Sequence, residues 1–405
     1  MKNLIVGQSG GPTAAINSTL AGVIKGGVDS NKVGKVYGML NGILGMMENK
    51  IYDLDDLGNN EEKISLLQKT PASFLGSCRY KLPENDENVY EKIFEILEEY
   101  NIGYFFYIGG NDSMDTAAKL SKYARENKKD IKFVGVAKTI DNDLPEMDHT
   151  PGFGSAAKYI AATVKEVATD ASVYDVKSVE IIEVMGRDAG WLAGSSALAG
   201  IDGIGPDLIY LPERNFDVES FYSDVSKKLE EKNHVLVVIS EGIRTEDGKY
   251  ICEILSDGKK DAFGHKQLGG TGKVLESLVK ERFGVKVRSI ELNTPQRCAS
   301  HILSKTDIDE AFNLGYAAVN SAASGNTGIV MAIKRVSNNP YKVSYEAVDV
   351  NKVANEAKIV PQDYINEAGN YVTEKFIDYV RPLVVGEIYP EYENGVPKFL
   401  SLRLK

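Results

Sequence analysis

Cysteine is scarce in this chain of 405 residues, which contains only Cys78, Cys252 and Cys298. No two of them form a CxxC pair, and none lies in a cluster with the four histidines. A disulfide framework and a structural zinc site are therefore not expected. The sequence also lacks an apolar run of about 20 residues, the length that spans a bilayer. The apolar run near the start, residues 4–6, is too short for a signal peptide. These absences predict a cytoplasmic protein.

Positively charged residues are fewer than acidic ones. The chain has 47 lysines and arginines and 58 aspartates and glutamates, which gives a net charge of −11. Such a surface repels nucleic acid and anionic lipid, so we expect no nucleic-acid partner and no membrane partner. An anionic substrate would need a local basic pocket within this acidic body.

Short runs of β-branched residues alternate with helical stretches along most of the chain. This alternation is typical of parallel strands joined by right-handed helical crossovers. Two Rossmann-like α/β lobes with mainly parallel sheets are the simplest arrangement, with functional residues where strands end. Strands are predicted over residues 4–6, 104–108, 132–136, 179–184, 235–240, 286–290 and 327–333, and helices over residues 14–25, 113–126, 156–168 and 307–324.

The first candidate site is Gly-Gln-Ser-Gly-Gly-Pro at residues 7–12, between a predicted strand and a predicted helix. Glycines in such a turn let backbone N–H groups approach a phosphate, and the helix N-terminus adds partial positive charge. The spacing matches neither the dinucleotide pattern GxGxxG nor Walker A. The position favours phosphate binding by this turn over an ordinary strand-to-helix turn.

A second turn, Gly-Gly-Asn-Asp-Ser at residues 109–113, follows another predicted strand. Asp112 or Ser113 would suit the N-cap of the helix that follows. The oxygen-bearing side chains of Asn111 and Asp112 would equally suit a phosphate-bound Mg²⁺, which prefers oxygen ligands and few protein contacts. The residues alone do not decide between a helix cap and a metal site at this turn.

The third segment, Lys-Thr-Ile-Asp-Asn-Asp at residues 138–143, places two carboxylates two residues apart, close to a lysine. A carboxylate, Asp141 or Asp143, can accept the proton of a sugar hydroxyl, while Lys138 offsets charge on phosphate oxygens. A solvated acidic turn is the alternative, and phosphoryl transfer is the interpretation that the sequence favours.

Several single residues are candidates only in combination. Arg187, where a predicted strand runs into Gly-Arg, can grip a phosphate with its two-pronged guanidinium. Taken one at a time, such residues are more often structural than functional. The other candidates of this kind are Arg79, Lys81, Glu241, Arg288 and Arg297.

Taken together and in this order, the segments resemble the phosphofructokinase family over about residues 1–335. Each match is short, but seven matches in family order are specific. The matching segments are Ser-Gly-Gly (9–11), Gly-Ser-Cys-Arg (76–79), Gly-Gly-Asn-Asp-Ser (109–113), Lys-Thr-Ile-Asp-Asn-Asp (138–143), Glu-Val-Met-Gly-Arg (183–187), Ser-Glu-Gly (240–242) and Pro-Gln-Arg (295–297).

The resemblance implies a phosphoryl transfer to fructose 6-phosphate, with the active site in a cleft between the two lobes. Asp141 would deprotonate the sugar 1-hydroxyl, and Thr139 would position the phosphoryl group. Arg288 would reach the acceptor site of a neighbouring subunit, which implies a homodimer or homotetramer. The remaining implied contacts are Gly10, Gly11, Arg79, Lys81 and Ser113 for the donor, and Asp143, Met185, Gly186, Arg187, Glu241, Thr294 and Arg297 for the sugar phosphate, with Arg297 on its 6-phosphate.

Two departures from the ATP-using pattern point to the pyrophosphate-dependent subfamily. ATP-using members typically have glycine at the position of Asp112, where a carboxylate would clash with and repel the α-phosphate of a nucleotide. They also usually have glycine at the position of Lys138, whose charge would instead stabilise the phosphoryl group in transfer. Pyrophosphate is therefore the expected donor, and an ATP-dependent 6-phosphofructokinase is the alternative.

The resemblance also implies Mg²⁺, held by Asn111 and Asp112. Many members have an acidic residue at position 111, so the asparagine shifts the expected metal contact toward Asp112. The implied donor lobe comprises residues 1–155 and about 300–345, and the implied sugar-phosphate lobe residues 156–299. Residues 346–405 carry no recognisable motif and receive no role. The sequence leaves open whether a longer acceptor such as sedoheptulose 7-phosphate is also used.

Overall fold

The computed structural model describes residues 1–84, 86–254, 270–354 and 356–402. Its strands are β1 (Lys2–Gln8), β2 (Val33–Met39), β3 (Ile51–Asp53), β4 (Ile102–Gly109), β5 (Lys132–Ala137), β6 (Ser178–Val184), β7 (Leu208–Tyr210), β8 (His234–Ser240), β9 (Lys286–Glu291), β10 (Leu303–Ser304), β11 (Ile329–Asn338), β12 (Tyr341–Asp349), β13 (Glu387–Ile388), β14 (Tyr392–Glu393) and β15 (Val396–Pro397).

The α-helices alternate with these strands through most of the chain. They are α1 (Ile16–Asp29), α2 (Gly42–Met47), α3 (Asp55–Gly58), α4 (Glu61–Gln68), α5 (Glu87–Glu99), α6 (Asn111–Glu126), α7 (Phe153–Ala171), α8 (Trp191–Ser195), α9 (Val218–Glu231), α10 (Thr271–Phe283), α11 (Pro295–Cys298), α12 (Lys305–Ala323) and α13 (Glu374–Val380). Short 3₁₀ helices occupy Ser196–Asp202, Ile251–Ile254, Val350–Lys352, Gln362–Tyr364 and Arg381–Val384.

Each strand and helix predicted from the sequence is present, with bounds that shift by up to about five residues. The largest shift is at β11, which was expected to end at Ile333 and continues to Asn338. The extension is polar, so its sequence carries no apolar strand signal. It forms because β12 returns antiparallel beside it and pairs with it as far as Asn338, with one irregularity between Arg335 and Ser337.

The chain divides into two compact units. Unit 1 contains Met1–Ser155, Arg297–Ala357 and Val385–Lys405, and unit 2 contains Ala156–Gln296 and Lys358–Val384. Residues 346–405 therefore belong partly to each unit. Arg297 belongs to unit 1, although the sequence-based boundaries put it in the sugar-phosphate lobe.

Unit 1 is built on a seven-stranded sheet in the order β12-β11-β5-β4-β1-β2-β3. The five inner strands run parallel, whereas β12 and β3 pair antiparallel at the two edges. Because β1, β4 and β5 are neighbours, the turns at their carboxyl ends meet at one edge of the sheet. These are the turns that carry the first three candidate segments.

Burial and close helix packing explain the stability of this unit. The side chains of Leu4, Ile5 and Val6 at the middle of β1 are fully buried. On the sheet, α1 packs against α12 so closely that a Cβ at Gly22 would lie 1.9 Å from the carbonyl oxygen of Phe312. Glycine is therefore required at this crossing.

Unit 2 contains a four-stranded, fully parallel sheet in the order β7-β8-β6-β9. Every residue of β6 is buried, as expected for a central strand covered on both faces. The segment Lys358–Val384 joins this unit through an aromatic contact, in which Phe376 stacks on Trp191 with ring centroids 5.8 Å apart. Among the helices of the described ranges, none combines the length and apolar character that a membrane crossing requires.

Candidate active site

Lys138 follows β5 directly and is one of the most buried charged residues of unit 1, with 2% of its surface exposed. Its ammonium donates hydrogen bonds to the carbonyl oxygens of Gly11 (2.6 Å) and Ser9 (3.3 Å). Burial lowers the pKa of Lys138 to about 8, and the charges of Arg297 and Arg79 act in the same direction. The nearby carboxylates of Asp141 and Asp143 oppose this shift of the pKa.

Asp141 and Thr139 are linked to each other within the acidic loop, defined here as residues 138–143. The Thr139 hydroxyl donates to Asp141 Oδ2 at 3.3 Å, and the Asp141 N–H donates to Thr139 Oγ1 at 3.1 Å. Asn142 has a left-handed backbone (φ 54°), which turns the chain between Asp141 and Asp143. The loop thus holds a hydroxyl and a carboxylate side by side near the Lys138 ammonium.

The glycine turn, defined here as residues 9–12, lies against this ammonium. Gly10 has a φ of 77°, and a Cβ built there would lie 3.8 Å from Lys138 Nζ. A Cβ at Gly11 would lie 3.5 Å from Nη1 of Arg297. The hydroxyl of Ser77 donates to the Gly10 carbonyl at 2.7 Å and fixes the turn. Two cations therefore flank a turn that side chains do not obstruct, as an anion site requires.

Helix α6 begins at Asn111, with Gly110 as its N-cap and no side-chain capping hydrogen bond. Asp112 and Ser113 therefore lie in the first turn, and the capping role considered for them is wrong. The carboxylate of Asp112 is 41% exposed and lies 3.2 Å from the Lys81 ammonium. Ser113 is buried, and its hydroxyl donates to Ser9 Oγ at 2.9 Å.

The expected Mg²⁺ site at Asn111 and Asp112 can be compared with the ligand atoms that the structure places there. Within the described ranges, no three His, Cys, Asp or Glu residues form a cluster that could hold a metal ion. The Asn111 amide nitrogen donates to the Glu356 carbonyl at 2.7 Å, and its amide oxygen is the atom that could serve as a ligand. One carboxylate, Asp112, and one amide oxygen fit an ion such as Mg²⁺ that is bound mainly by phosphate oxygens and water.

Unit 2 brings together Met185, Gly186, Arg187 and Glu241 at the carboxyl ends of β6 and β8. The Met185 N–H donates to Gln296 Oε1 at 3.0 Å, and the Gly186 N–H donates to Glu241 Oε1 at 3.4 Å. The turn is tight, because a Cβ at Gly242 would lie 1.9 Å from the Arg187 carbonyl oxygen.

The other two predicted sugar-phosphate residues of unit 2 lie apart from this turn along the chain. Thr294 is exposed, just before α11. Arg288 lies on the edge strand β9, opposite Glu180 of β6, and its guanidinium is 3.7 Å from that carboxylate. Within unit 2, Arg288 is therefore placed along the strand and not at its carboxyl end.

Some contributing residues were not identified from the sequence. Ser9 and Ser77 hold the glycine turn, and Gln296 holds Met185. Thr150 holds the acidic loop, because its hydroxyl donates to the Thr139 carbonyl at 2.8 Å. Ser9, Ser77 and Gln296 lie inside the quoted motifs, so their position was a usable signal. Thr150 lies outside any motif, and its role depends on tertiary contacts.

At the ends of its parallel strands, unit 1 combines glycine turns, a buried cation and a hydroxyl–carboxylate pair. Groups of this kind serve in phosphoryl transfer. The chain belongs to the phosphofructokinase family, because the sequence profile described as Phosphofructokinase matches residues 3–290. The resemblance inferred from seven short motifs is thereby confirmed.

Relatives match over nearly the full length. A pyrophosphate–fructose 6-phosphate 1-phosphotransferase from Halomonas elongata is 40% identical over 406 residues, which cover 99% of this chain and 96% of the relative. The protein of the same name from Xanthomonas campestris is 42% identical over 410 residues, with the same coverages of 99% and 96%. Among solved structures, a pyrophosphate-dependent phosphofructokinase from Nitrosospira multiformis matches with a TM-score of 0.89 and 37% identity, covering 98% of this chain and 96% of its own.

Proposed function

We propose that this protein transfers a phosphoryl group from inorganic pyrophosphate to the 1-hydroxyl of D-fructose 6-phosphate. The products are D-fructose 1,6-bisphosphate and orthophosphate, and the reaction is reversible, as a step of glycolysis and gluconeogenesis. The buried ammonium of Lys138 beside the glycine turn is the observation that carries this proposal. The names of the two full-length relatives state the same reaction.

Lys138 provides a fixed positive charge for the donor. Its hydrogen bonds to Ser9 and Gly11 hold the ammonium in place before any ligand binds. Fixed charges in a site that excludes water stabilise a transition state without reorganising during the reaction. Pyrophosphate has no nucleoside to supply binding energy, so such a charge matters more for it than for ATP.

Asp141 is the proposed proton acceptor. It takes the proton of the sugar 1-hydroxyl while that oxygen forms a bond to phosphorus and the bridging P–O bond of pyrophosphate breaks. The Thr139 hydroxyl, 3.3 Å from Asp141 Oδ2, orients the carboxylate and positions the phosphoryl group. The electrons of the broken bond stay with the departing orthophosphate.

Asp112 is proposed to disfavour nucleotide donors. Its carboxylate stands in the first turn of α6, where it would repel a further phosphate attached to the donor. Its ion pair with Lys81 keeps a cation available to the two phosphates of pyrophosphate. Gly10, Gly11 and Arg79 complete the proposed donor site, and Ser113 is proposed to support it indirectly, through its hydrogen bond to Ser9.

Mg²⁺ is the proposed metal, with Asp112 and the amide oxygen of Asn111 as protein ligands. When bound, it would neutralise charge on the phosphate oxygens of the donor. The residues of the chain would still orient the donor and accept the proton.

The contacts proposed for the sugar phosphate come from the sequence motifs. The assigned contacts are Asp143, Met185, Gly186, Arg187, Glu241, Thr294 and Arg297, with Arg297 on the 6-phosphate. Since Arg297 lies beside Gly11, its charge also reaches the glycine turn. For Arg288 we propose a contact across a homodimer or homotetramer, because its guanidinium lies on an edge strand with half of its side chain exposed.

The test is a coupled assay with fructose 6-phosphate and either pyrophosphate or ATP as donor. We expect turnover with pyrophosphate and at least 100-fold lower kcat/KM with ATP. Asp141→Asn keeps the shape of the side chain and should lower kcat by about 10² to 10⁴-fold, the usual contribution of a general base, while binding of fructose 6-phosphate persists.

Turnover with ATP in the absence of any turnover with pyrophosphate would refute the proposed donor. Wild-type kcat in the Asp141→Asn variant would refute the proposed base and leave the donor assignment standing.

A further inference from the structure

A buried ionic network lies next to the acidic loop, and none of the roles assigned above uses it. His149 is 2% exposed, and both of its ring nitrogens face carboxylate oxygens. Nδ1 is 2.8 Å from Asp148 Oδ2, and Nε2 is 2.6 Å from Glu310 Oε2. Both nitrogens must carry a proton to donate to two carboxylates, so the geometry favours an imidazolium.

The network is closed by two further side chains from β11 and β12. The Arg335 guanidinium donates twice to Asp148 Oδ2, from Nε at 3.0 Å and from Nη2 at 2.8 Å. The Tyr341 hydroxyl donates to Glu310 Oε1 at 2.8 Å. Two cations thus balance two carboxylates, which a buried ionic cluster requires.

Burial alone would lower the pKa of His149, but the hydrogen bonds to Asp148 and Glu310 outweigh it and raise the pKa. The same contacts hold the pKa of Asp148 below its usual range, against the effect of burial. Asp307, one turn before Glu310 on α12, also acts electrostatically on His149.

The segment that carries His149 is the strap, defined here as residues 148–155. On one side it is fixed to α12, because Asp307 accepts hydrogen bonds from the N–H groups of Gly152 (2.8 Å) and Ser155 (2.9 Å). The N–H of Asp148 also donates to the Ile333 carbonyl of β11 at 2.8 Å. His149 adds a side-chain link from the strap to Glu310 of the same helix.

On its other side the strap holds the acidic loop through three hydrogen bonds. The Thr150 hydroxyl donates to the Thr139 carbonyl at 2.8 Å, and the Thr150 N–H donates to Asn142 Oδ1 at 3.2 Å. The Thr139 N–H donates to the Pro151 carbonyl at 3.2 Å. The residues on both sides of Asp141 are therefore fixed by the residues that follow His149.

We propose that His149, as an imidazolium, is a positioning residue. It fixes Thr150, and Thr150 in turn sets the orientation of the Asp141 carboxylate and the Thr139 hydroxyl. This inference rests on the proposed function, because it assumes that Asp141 and Thr139 act in turnover. Loss of the imidazolium lowers kcat and leaves the KM for both substrates nearly unchanged. An error of about 1 Å in placement can cost about 10²-fold in rate.

The experiment compares kcat and KM in His149→Gln, Thr150→Val, Thr150→Ser and Tyr341→Phe. The first two variants should lose at least tenfold in kcat, with both KM values within about twofold of wild type. Thr150→Ser keeps the hydroxyl and should restore most of kcat. Tyr341→Phe loosens the same network at its far end and is the matched control, with lower thermal stability but wild-type kcat.

The double variant His149→Gln/Thr150→Val supplies a further readout. If His149 acts through Thr150, the two losses should not add. Nitrogen NMR of the imidazole provides a signature independent of activity, since both His149 nitrogens should be protonated at pH 7.5 in wild type.

Wild-type kcat in both His149→Gln and Thr150→Val, or fully additive losses, would overturn the inference. Should His149→Gln fail to fold, Thr150→Val and the imidazole NMR signals decide, because wild-type kcat in Thr150→Val or a neutral His149 ring at pH 7.5 would each overturn the inference. Absence of any pyrophosphate-dependent turnover in the wild-type enzyme would instead refute the proposed function, and the two failures are therefore distinguishable.

Discussion

Lys138 follows strand β5 directly, and Asp112 lies in the first turn of α6, which follows the neighbouring strand β4, yet the two side chains differ sharply in exposure. Lys138 is 2% exposed and bonded to two backbone carbonyls, whereas the Asp112 side chain is 41% exposed and contacts Lys81, which is itself 53% exposed. A buried charge is fixed in place, while an exposed ion pair contributes little energy and moves easily. Under the proposed function, we therefore expect Lys138 to stabilise the phosphoryl group in transfer and Asp112 to act mainly on the choice of donor.

The largest effect is expected from Lys138→Met. The substitution removes the buried charge, and we expect kcat/KM for pyrophosphate to fall by about 10² to 10³-fold, the loss typical of one fixed group that stabilises a transition state. The pKa of Lys138 is lower in the folded protein than in the unfolded chain, so burying the charged form costs stability below about pH 8. The melting temperature of the variant at pH 7 should therefore equal or exceed that of wild type. A lower melting temperature with intact kinetics would assign Lys138 a structural role.

A smaller effect is expected from Asp112→Gly. Removing the carboxylate should raise kcat/KM for ATP by about tenfold or more, because a repulsive group is lost. The kcat/KM for pyrophosphate should fall as well, because the variant also loses the proposed carboxylate ligand of Mg²⁺, so the ratio of the two kcat/KM values is the quantity that reports donor exclusion. Parallel assays with the two donors measure both numbers. Unchanged donor preference would show that exclusion of ATP does not depend on Asp112.

The pH profile gives a third, moderate effect that distinguishes the two residues. With the pKa of Lys138 at about 8, the free enzyme loses the ammonium as the pH rises through that value. We expect kcat/KM for pyrophosphate to decline above about pH 8 in wild type and in Asp112→Gly alike. Arginine stays protonated, so any activity retained by Lys138→Arg should lack this decline. A decline at the same pH in Lys138→Arg would assign it to another group.

The smallest effect is expected from Ser113→Ala. Its hydroxyl is buried against Ser9 and not directed to solvent, so the variant should lose about 1 kcal/mol of unfolding free energy, the usual value of such a hydrogen bond. Both kcat and KM for pyrophosphate should stay within about twofold of wild type. A large rise in KM would restore Ser113 as a direct donor contact.

The sequence allowed much of this architecture to be predicted, for physical reasons. Strands such as β4 and β8 are buried, mostly apolar runs that end in glycine-containing turns, and this pattern is visible without a structure. Strand β12 was missed because it is half exposed and mostly polar at the edge of its sheet. The polar end of β11 was missed for the same reason.

The candidate site, like the fold, was predictable from the sequence only in part. Lys138, Thr139 and Asp141 were recognised because they are contiguous in the sequence. Neither the burial of Lys138 nor the pairing of Ser113 with Ser9 could be read there, since both depend on strands that are distant in the chain. The His149 network joins residues up to about 190 positions apart and leaves no local pattern.

The most direct test of the central claim is the proton uptake that accompanies pyrophosphate binding at pH 8. Titration calorimetry in buffers of different ionisation enthalpy measures it for wild type and for Lys138→Arg. If the buried ammonium neutralises the donor, wild type should take up a substantial fraction of a proton, because the bound anion raises the pKa of Lys138, and the arginine variant should take up less. Equal uptake in the two proteins would contradict the account.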